Sequence, residues 1–282
     1  MTRRWRPFPA PEGRFDRDEQ ALIAAWPELH RGDCEPLPSG PAVRAALLAT
    51  GARHGPREVE RALAELLAAW RAFHRGDFRE ACERGERLGP LGAAVASKAE
   101  GIHAQYLIED EAERIEAFAA AARRCEQARA ALPEAVNLHY LVAFAWGRYG
   151  QGISIARALA QGLAGKIREA LERSLRLEPE HAEAHSAMGL YHAEIIAKVG
   201  ATVGGLTYGA KAAAARQHLE RATRLTPKAP IAWIEYGNGI LLLEGERGLA
   251  EAERAYRKAA ALEPQDAMQA LDVAHAREQL ED

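Results

Sequence analysis

Three stretches of this chain are close copies of one another: LERSLRLEPEHAEAH (171–185), LERATRLTPKAPIAW (219–233) and YRKAAALEPQDAMQA (256–270). Aligned on Pro179, Pro227 and Pro264, they are joined by a fourth copy, AAAARRCEQARAALP, which ends at Pro133. Upstream of each proline, residue type recurs in four columns: Ala121/Cys125/Ala128/Ala131, Ile167/Leu171/Ser174/Leu177, Ala215/Leu219/Ala222/Leu225 and Ala252/Tyr256/Ala259/Leu262. Steps of four and three place each set on one stripe of a helix. The proline ends that helix, because it has no amide to donate and disfavours the α conformation in the residue before it.

After each of the first three prolines another helix is predicted, the first helix of the next hairpin, and these share a register too. His139, His185 and Trp233 occupy one column, and Ala143, Gly189 and Gly237 the column four residues later. A small residue there lets two helix backbones approach closely. Each unit therefore reads as a helical hairpin that cannot bury both faces alone and is stable only in a stack.

Composition agrees with helices rather than sheets. Aromatic residues are 6% of the 282, hydrophobic residues 48%, and alanine is abundant, whereas strands favour branched and aromatic residues. The formal charge of −3 gives no global field for nucleic acid or an anionic membrane. The arginines are dispersed without interleaved aromatics, so no nucleic-acid partner is expected. Cys34, Cys82 and Cys125 are far apart and fit neither a disulfide framework nor a zinc spacing, which points to a reducing, cytoplasmic location. No apolar stretch follows the twin arginines Arg3 and Arg4, and the apolar run 195–215 is broken by Lys198 and Lys211. Neither an export signal nor membrane insertion is expected.

The pattern of a bulky residue, a small one four later, then Ala, aromatic, Ala and Pro resembles the tetratricopeptide repeat (TPR). The last unit carries it best, through Trp233, Gly237, Ala252, Tyr256, Ala259 and Pro264, and RGDFREACERGERLG from Arg75 is a fainter copy. The resemblance implies an all-α, TPR-like α-solenoid of about five helical hairpins with helical caps. It divides the chain into an N-terminal helical cap (1–56), repeats (57–264) and a C-terminal capping helix (265–282). Within the cap, 16–33 reads as a helix broken near Pro27 and 40–51 as another. The proline intervals, 133 to 179 and 179 to 227, exceed the usual period of about 34 residues. The surplus lies in two inserts, 150–166 and 198–211, rich in alanine and glycine. Enlarged units of this kind are similar to those of regulator of microtubule dynamics proteins and of TPR lipoproteins associated with certain bacterial solute transporters.

The resemblance also implies a groove lined by first-helix residues: Tyr140, Phe144 and Arg148; Ser186, Leu190 and Glu194; Ile234, Asn238 and Leu242. The mixed apolar and polar set suits a protein or peptide partner, without the Lys/Asn pattern of TPR domains that clamp a chaperone's C-terminal carboxylate. Regular stacking would bring the two inserts side by side, with Arg148, Tyr149, Arg157, Glu194 and Tyr208 near one groove mouth. The expected function is a non-catalytic binding scaffold with no cofactor. The alternatives are a small-molecule binder with a pocket formed by the inserts, or a metal-dependent enzyme.

The metal alternative rests on His181, His185 and His192, which fall within about 40° on one helix face. Against it, His192 is roughly 10 Å beyond His185 along the axis, and both occupy columns filled elsewhere by Trp146, Trp233 and Ile240. These are read as packing positions, so phenylalanine at 185 is expected to be tolerated. The QGLAGKI stretch (161–167) lacks the full phosphate-loop pattern and reads as a glycine corner before a helix.

Overall fold

The computed structural model describes residues 4–11, 13–51 and 55–281; Arg3 of the twin-arginine pair lies outside them. Among the described residues every regular element is a helix. The chain forms two compact units. One is Met1–His30 with Glu35–Ile155, and the other is Arg31–Cys34 with Ala156–Asp282. The division at 155 falls inside the first alanine-and-glycine-rich insert.

The first unit opens with α1 (Glu19–Leu29), capped by Asp18, whose carboxylate accepts from the Ala21 amide at 2.8 Å. It buries Leu22, Trp26 and Leu29 along one face. The break expected near Pro27 does not occur. Pro27 lies in the last turn, and Ile23, four residues back, is solvent-exposed. Only one hydrogen bond is lost, at a place where water can take the freed carbonyl.

Helix α2 (Gly40–Ala49) starts at the Ser39 cap and buries only Val43. The long amphipathic α3 (Pro56–Arg75) buries Leu66, Trp70, Phe73 and His74 on its inner face. Trp70 lies edge-on to Trp26 and His30, and the His30 and His74 Nε2 atoms are 3.1 Å apart in the same buried cluster. Gly76 ends α3 with φ of 95°, a left-handed conformation that favours glycine. Asp77 at once caps α4 (Phe78–Arg87). A short 3₁₀ turn (Gly89–Gly92) leads to α5 (Ala93–Leu107), then α6 (Glu111–Ala131) and α7 (Val136–Gln151). Consecutive helices from α3 to α7 pack on one another. In α6 the columns are buried at Ala121, Cys125 and Ala128.

In the second unit, α8 (Ile155–Ala160) begins at the boundary and buries no side chain. It is followed by α9 (Leu163–Leu177), α10 (Ala182–Val199), α11 (Ala201–Tyr208) and α12 (Ala212–Leu225). Then come α13 (Pro230–Glu244), a 3₁₀ turn (Gly245–Gly248), α14 (Leu249–Ala260) and α15 (Ala267–Glu278). Helix α10 pairs with α12 and α13 with α14, the two pairs meeting along α10 and α13, while α15 covers α13 and α14. The middle columns Leu171/Ser174, Leu219/Ala222 and Tyr256/Ala259 are all 5% exposed or less, while the last column, Leu177, Leu225 and Leu262, is half-buried. The small column does what close packing requires. A Cβ at Gly189 would lie 2.6 Å from Leu219, and one at Gly237 would lie 2.8 Å from Tyr256. Across α12 to α14, Arg216 donates to Glu251 at 2.8 Å and to Tyr236 Oη at 3.2 Å.

Candidate functional site

The bulky column of the first helices has a chemical identity beyond size. His139 Nε2 lies 2.8 Å from the Pro133 carbonyl, and His185 Nε2 lies 3.0 Å from that of Pro179. Trp233 Nε1 donates to the Pro227 carbonyl at 2.9 Å. In each copy a ring N–H reaches six residues back and ties the helix to the proline loop that precedes it. A carbonyl only accepts, so both histidines carry their proton on Nε2. At position 185 phenylalanine would supply the ring but not this donor.

The three stripe histidines have separate roles. His181 is fully buried, and its Nδ1 accepts from the Ala184 amide at 3.0 Å, capping α10. His185, with its proton on Nε2, leaves Nδ1 as an acceptor 2.8 Å from His218 Nδ1, so His218 is the donor of that pair. His192 is 8% exposed; its ring centre lies 6.1 Å from that of His218, and its Nδ1 is buried without a hydrogen-bond partner. Burial lowers the affinity of all three rings of this cluster for a proton. The neighbouring imidazoles add to the effect at His218, which falls to about 4. Arg168 and Lys211 add to it at His192, and Arg221 at His185. The cluster is a set of neutral, mutually oriented imidazoles in a basic setting. Among the described residues, no group of three or more His, Cys, Asp or Glu could hold a metal ion. His218 was missed because it lies on α12, and no spacing along α10 points to it.

The groove candidates fall in both units. In the first, Tyr140 is buried and Phe144 half-buried on α7, with ring centres 6.2 Å apart. Phe144 meets Phe118 edge-on and covers Gly101 of α5, where a Cβ would come within 2.6 Å of its ring. The Arg148 guanidinium sits 5.9 Å above Phe144, and Tyr149 is buried edge-on against Trp146.

In the second unit Ser186 and Ile234 are buried, while Leu190, Glu194, Asn238 and Leu242 are half-buried on the neighbouring helices α10 and α13. Glu194 pairs with Lys198 at 3.4 Å. The Asn238 amide donates to Glu235 at 3.1 Å and its carbonyl accepts from Tyr256 Oη at 2.7 Å, so this side chain braces α13 against α14. The Tyr208 carbonyl accepts from Tyr191 Oη at 3.2 Å and from Arg168 at 3.1 Å, fixing the end of α11. Arg157 lies on the exposed α8. In the glycine stretches, Gly162 opens α9 and Gly209 closes α11, both in left-handed conformations. Of the residues expected at one groove mouth, Arg148 and Tyr149 belong to the first unit, and Arg157, Glu194 and Tyr208 to the second.

None of the described helices is long and apolar enough to cross a membrane. The sequence matches no protein-family model and no curated protein.

Proposed function

We propose that this chain is a non-catalytic, TPR-like scaffold that binds a protein or peptide through the inner surface of its first helices. The observation that carries the reading is the threefold ring-to-proline tether at His139, His185 and Trp233. Equivalent sequence columns make an equivalent bond, which supports true structural repeats rather than a coincidence of composition. Repeats that present similar first-helix faces suit extended partners. In the second unit, Leu190, Glu194, Asn238 and Leu242 offer half-buried apolar and polar groups on adjacent helices, the mixture that peptide-binding surfaces use.

The test is selection from a random peptide display library on the full chain, with binding re-measured after Leu190→Asp and Leu242→Asp. Both positions are half-buried, and folding is checked by circular dichroism. Peptides that lose affinity for the folded variants support the reading. Failure to enrich any peptide, or binding indifferent to both changes, counts against it.

A further inference from the structure

The N-terminal stretch Trp5-Arg6-Pro7-Phe8-Pro9 has no regular structure, yet it is held at successive points on the first unit. Arg6 and Phe8 both precede proline, which drives them to extended conformations. The Arg4 amide donates to Glu113 Oε1 at 3.2 Å, and the Arg6 amide donates to His103 Nε2 at 2.8 Å. Trp5 packs on the His103 ring, with centres 4.6 Å apart. The Arg6 guanidinium donates to the Leu107 carbonyl at 2.7 Å and lies 3.2 Å from Glu109. Phe8 sits over Gly76, where any Cβ would come within 2.7 Å of its ring.

These are the contacts of a bound peptide. Backbone amides are received by side chains, an aromatic anchor rests on a ring, an arginine is held by a carbonyl and a carboxylate, and a second aromatic fills a glycine-floored notch. Trp5, Arg6 and Phe8 are half-buried, lying on this surface and not fully enclosed in a core. His103 is itself buried. As the acceptor of the Arg6 amide it must be unprotonated at Nε2, and burial helps by pushing its pKa down to about 4.

We propose that the ends of α5 and α6, with Gly76, form a peptide-binding surface that the chain's own N-terminal segment occupies in cis. The ligand class is an extended, proline-containing peptide with an aromatic–arginine pair followed by an aromatic residue. Proline lowers the entropy lost on binding. The covalent connection gives the resident segment an effective concentration on the order of millimolar, so a free peptide competes poorly until the segment is weakened. This inference concerns the first unit and stands apart from the groove reading of the second.

The probe is a fluorescein-labelled RWRPFPA peptide, followed by anisotropy with the full chain. Trp5→Ala with Phe8→Ala should raise its affinity by about tenfold or more over the native chain, as expected when a tethered competitor is lost. Adding His103→Phe, which removes the buried acceptor of the Arg6 amide, should cancel most of that gain. A folded double variant that binds no better than the native chain, or a gain that ignores the change at His103, overturns the proposal. Hydrogen exchange on the native chain gives a second measurement that needs no variant. Millimolar RWRPFPA should speed exchange of the Arg4 and Arg6 amides while α5 stays protected, and unchanged exchange also refutes it.

Discussion

Leu219 lies in a slot with glycine on two sides, which turns an ordinary substitution into a sharp test of the packing. It is fully buried on α12. A Cβ on Gly189 of α10 would fall 2.6 Å from its Cγ, and a Cβ on Gly239 of α13 would fall 2.3 Å from its Cδ1. Carbon atoms pack at about 3.5–4.0 Å, so Gly239→Ala demands a movement of more than about 1 Å. Overpacking of this kind costs roughly 1–3 kcal/mol, while alanine returns roughly 0.5–1 kcal/mol of helix propensity. The expected net loss is about 1–2 kcal/mol. Gly165, on α9 of the same unit, has nothing within 4 Å of its would-be Cβ, so Gly165→Ala should instead stabilise by up to about 1 kcal/mol.

The second half of the test is coupling. Leu219→Ala alone should cost roughly 2–5 kcal/mol. It also removes the atom that Gly239→Ala strikes, so the double variant should be more stable than the sum by about 1–2 kcal/mol. Urea unfolding is followed by fluorine NMR on 5-fluorotryptophan-labelled protein. Trp233 is the one tryptophan of the second unit, so its resonance reports that unit separately. If Gly239→Ala stabilises as Gly165→Ala does, or if the two changes at 219 and 239 are additive, the slot does not exist as described.

Other expectations follow from the same unit. Ala259 is fully buried among Ile234, Ala252, Tyr256 and Ala276, and Ala259→Leu should lower the urea midpoint by the equivalent of roughly 1–3 kcal/mol; an unchanged midpoint would remove it from the core. His185→Phe forfeits the tether to Pro179 and the acceptor for His218, and should cost about 1–2 kcal/mol; a midpoint equal to that of the native chain would deny the tether any energetic role. The histidine cluster predicts acid lability. His185, His192 and His218 are held below the ordinary histidine pKa of about 6.5 by burial in the folded state, so the unfolded chain takes up protons first as pH falls. Their contribution is complete above about 6.5 and declines as pH drops toward about 4, where His218 itself titrates. His218→Asn should flatten that part of the stability profile, and an unaltered profile would place the acid sensitivity elsewhere.

Much of the helix architecture can be read from residue type because it depends on local periodicity. The columns ending at Pro133, Pro179, Pro227 and Pro264 are buried where steps of three and four put them, at Cys125, Leu171, Leu219 and Tyr256. What escapes such a reading is decided between elements. Pro27 is tolerated because it falls in a last turn. Asn238 is expected by register to face a groove, yet its amide is engaged by Glu235 and Tyr256. The stretch RWRPFP carries no periodicity at all, and its partners His103, Glu109 and Glu113 lie about a hundred positions away. No window along the chain could have joined them.

The column of His139, His185 and Trp233 shows how the two kinds of information combine. Read as bulk, histidine and tryptophan are poor equivalents, and a leucine or phenylalanine would serve as well. Read as a ring edge bearing an N–H, they are interchangeable, because Nε2 of one and Nε1 of the other reach a proline carbonyl six residues upstream. That carbonyl belongs to the residue that ends the preceding segment, so the tether links the stop of one element to the body of the next. Sequence columns locate the repeated position, and geometry supplies the property being repeated. The same distinction bears on the stripe at 181, 185 and 192. Three histidines on one helix face look like a ligand set when only spacing is considered. Their hydrogen-bond partners divide them into a helix cap, a loop tether and a buried neighbour of His218.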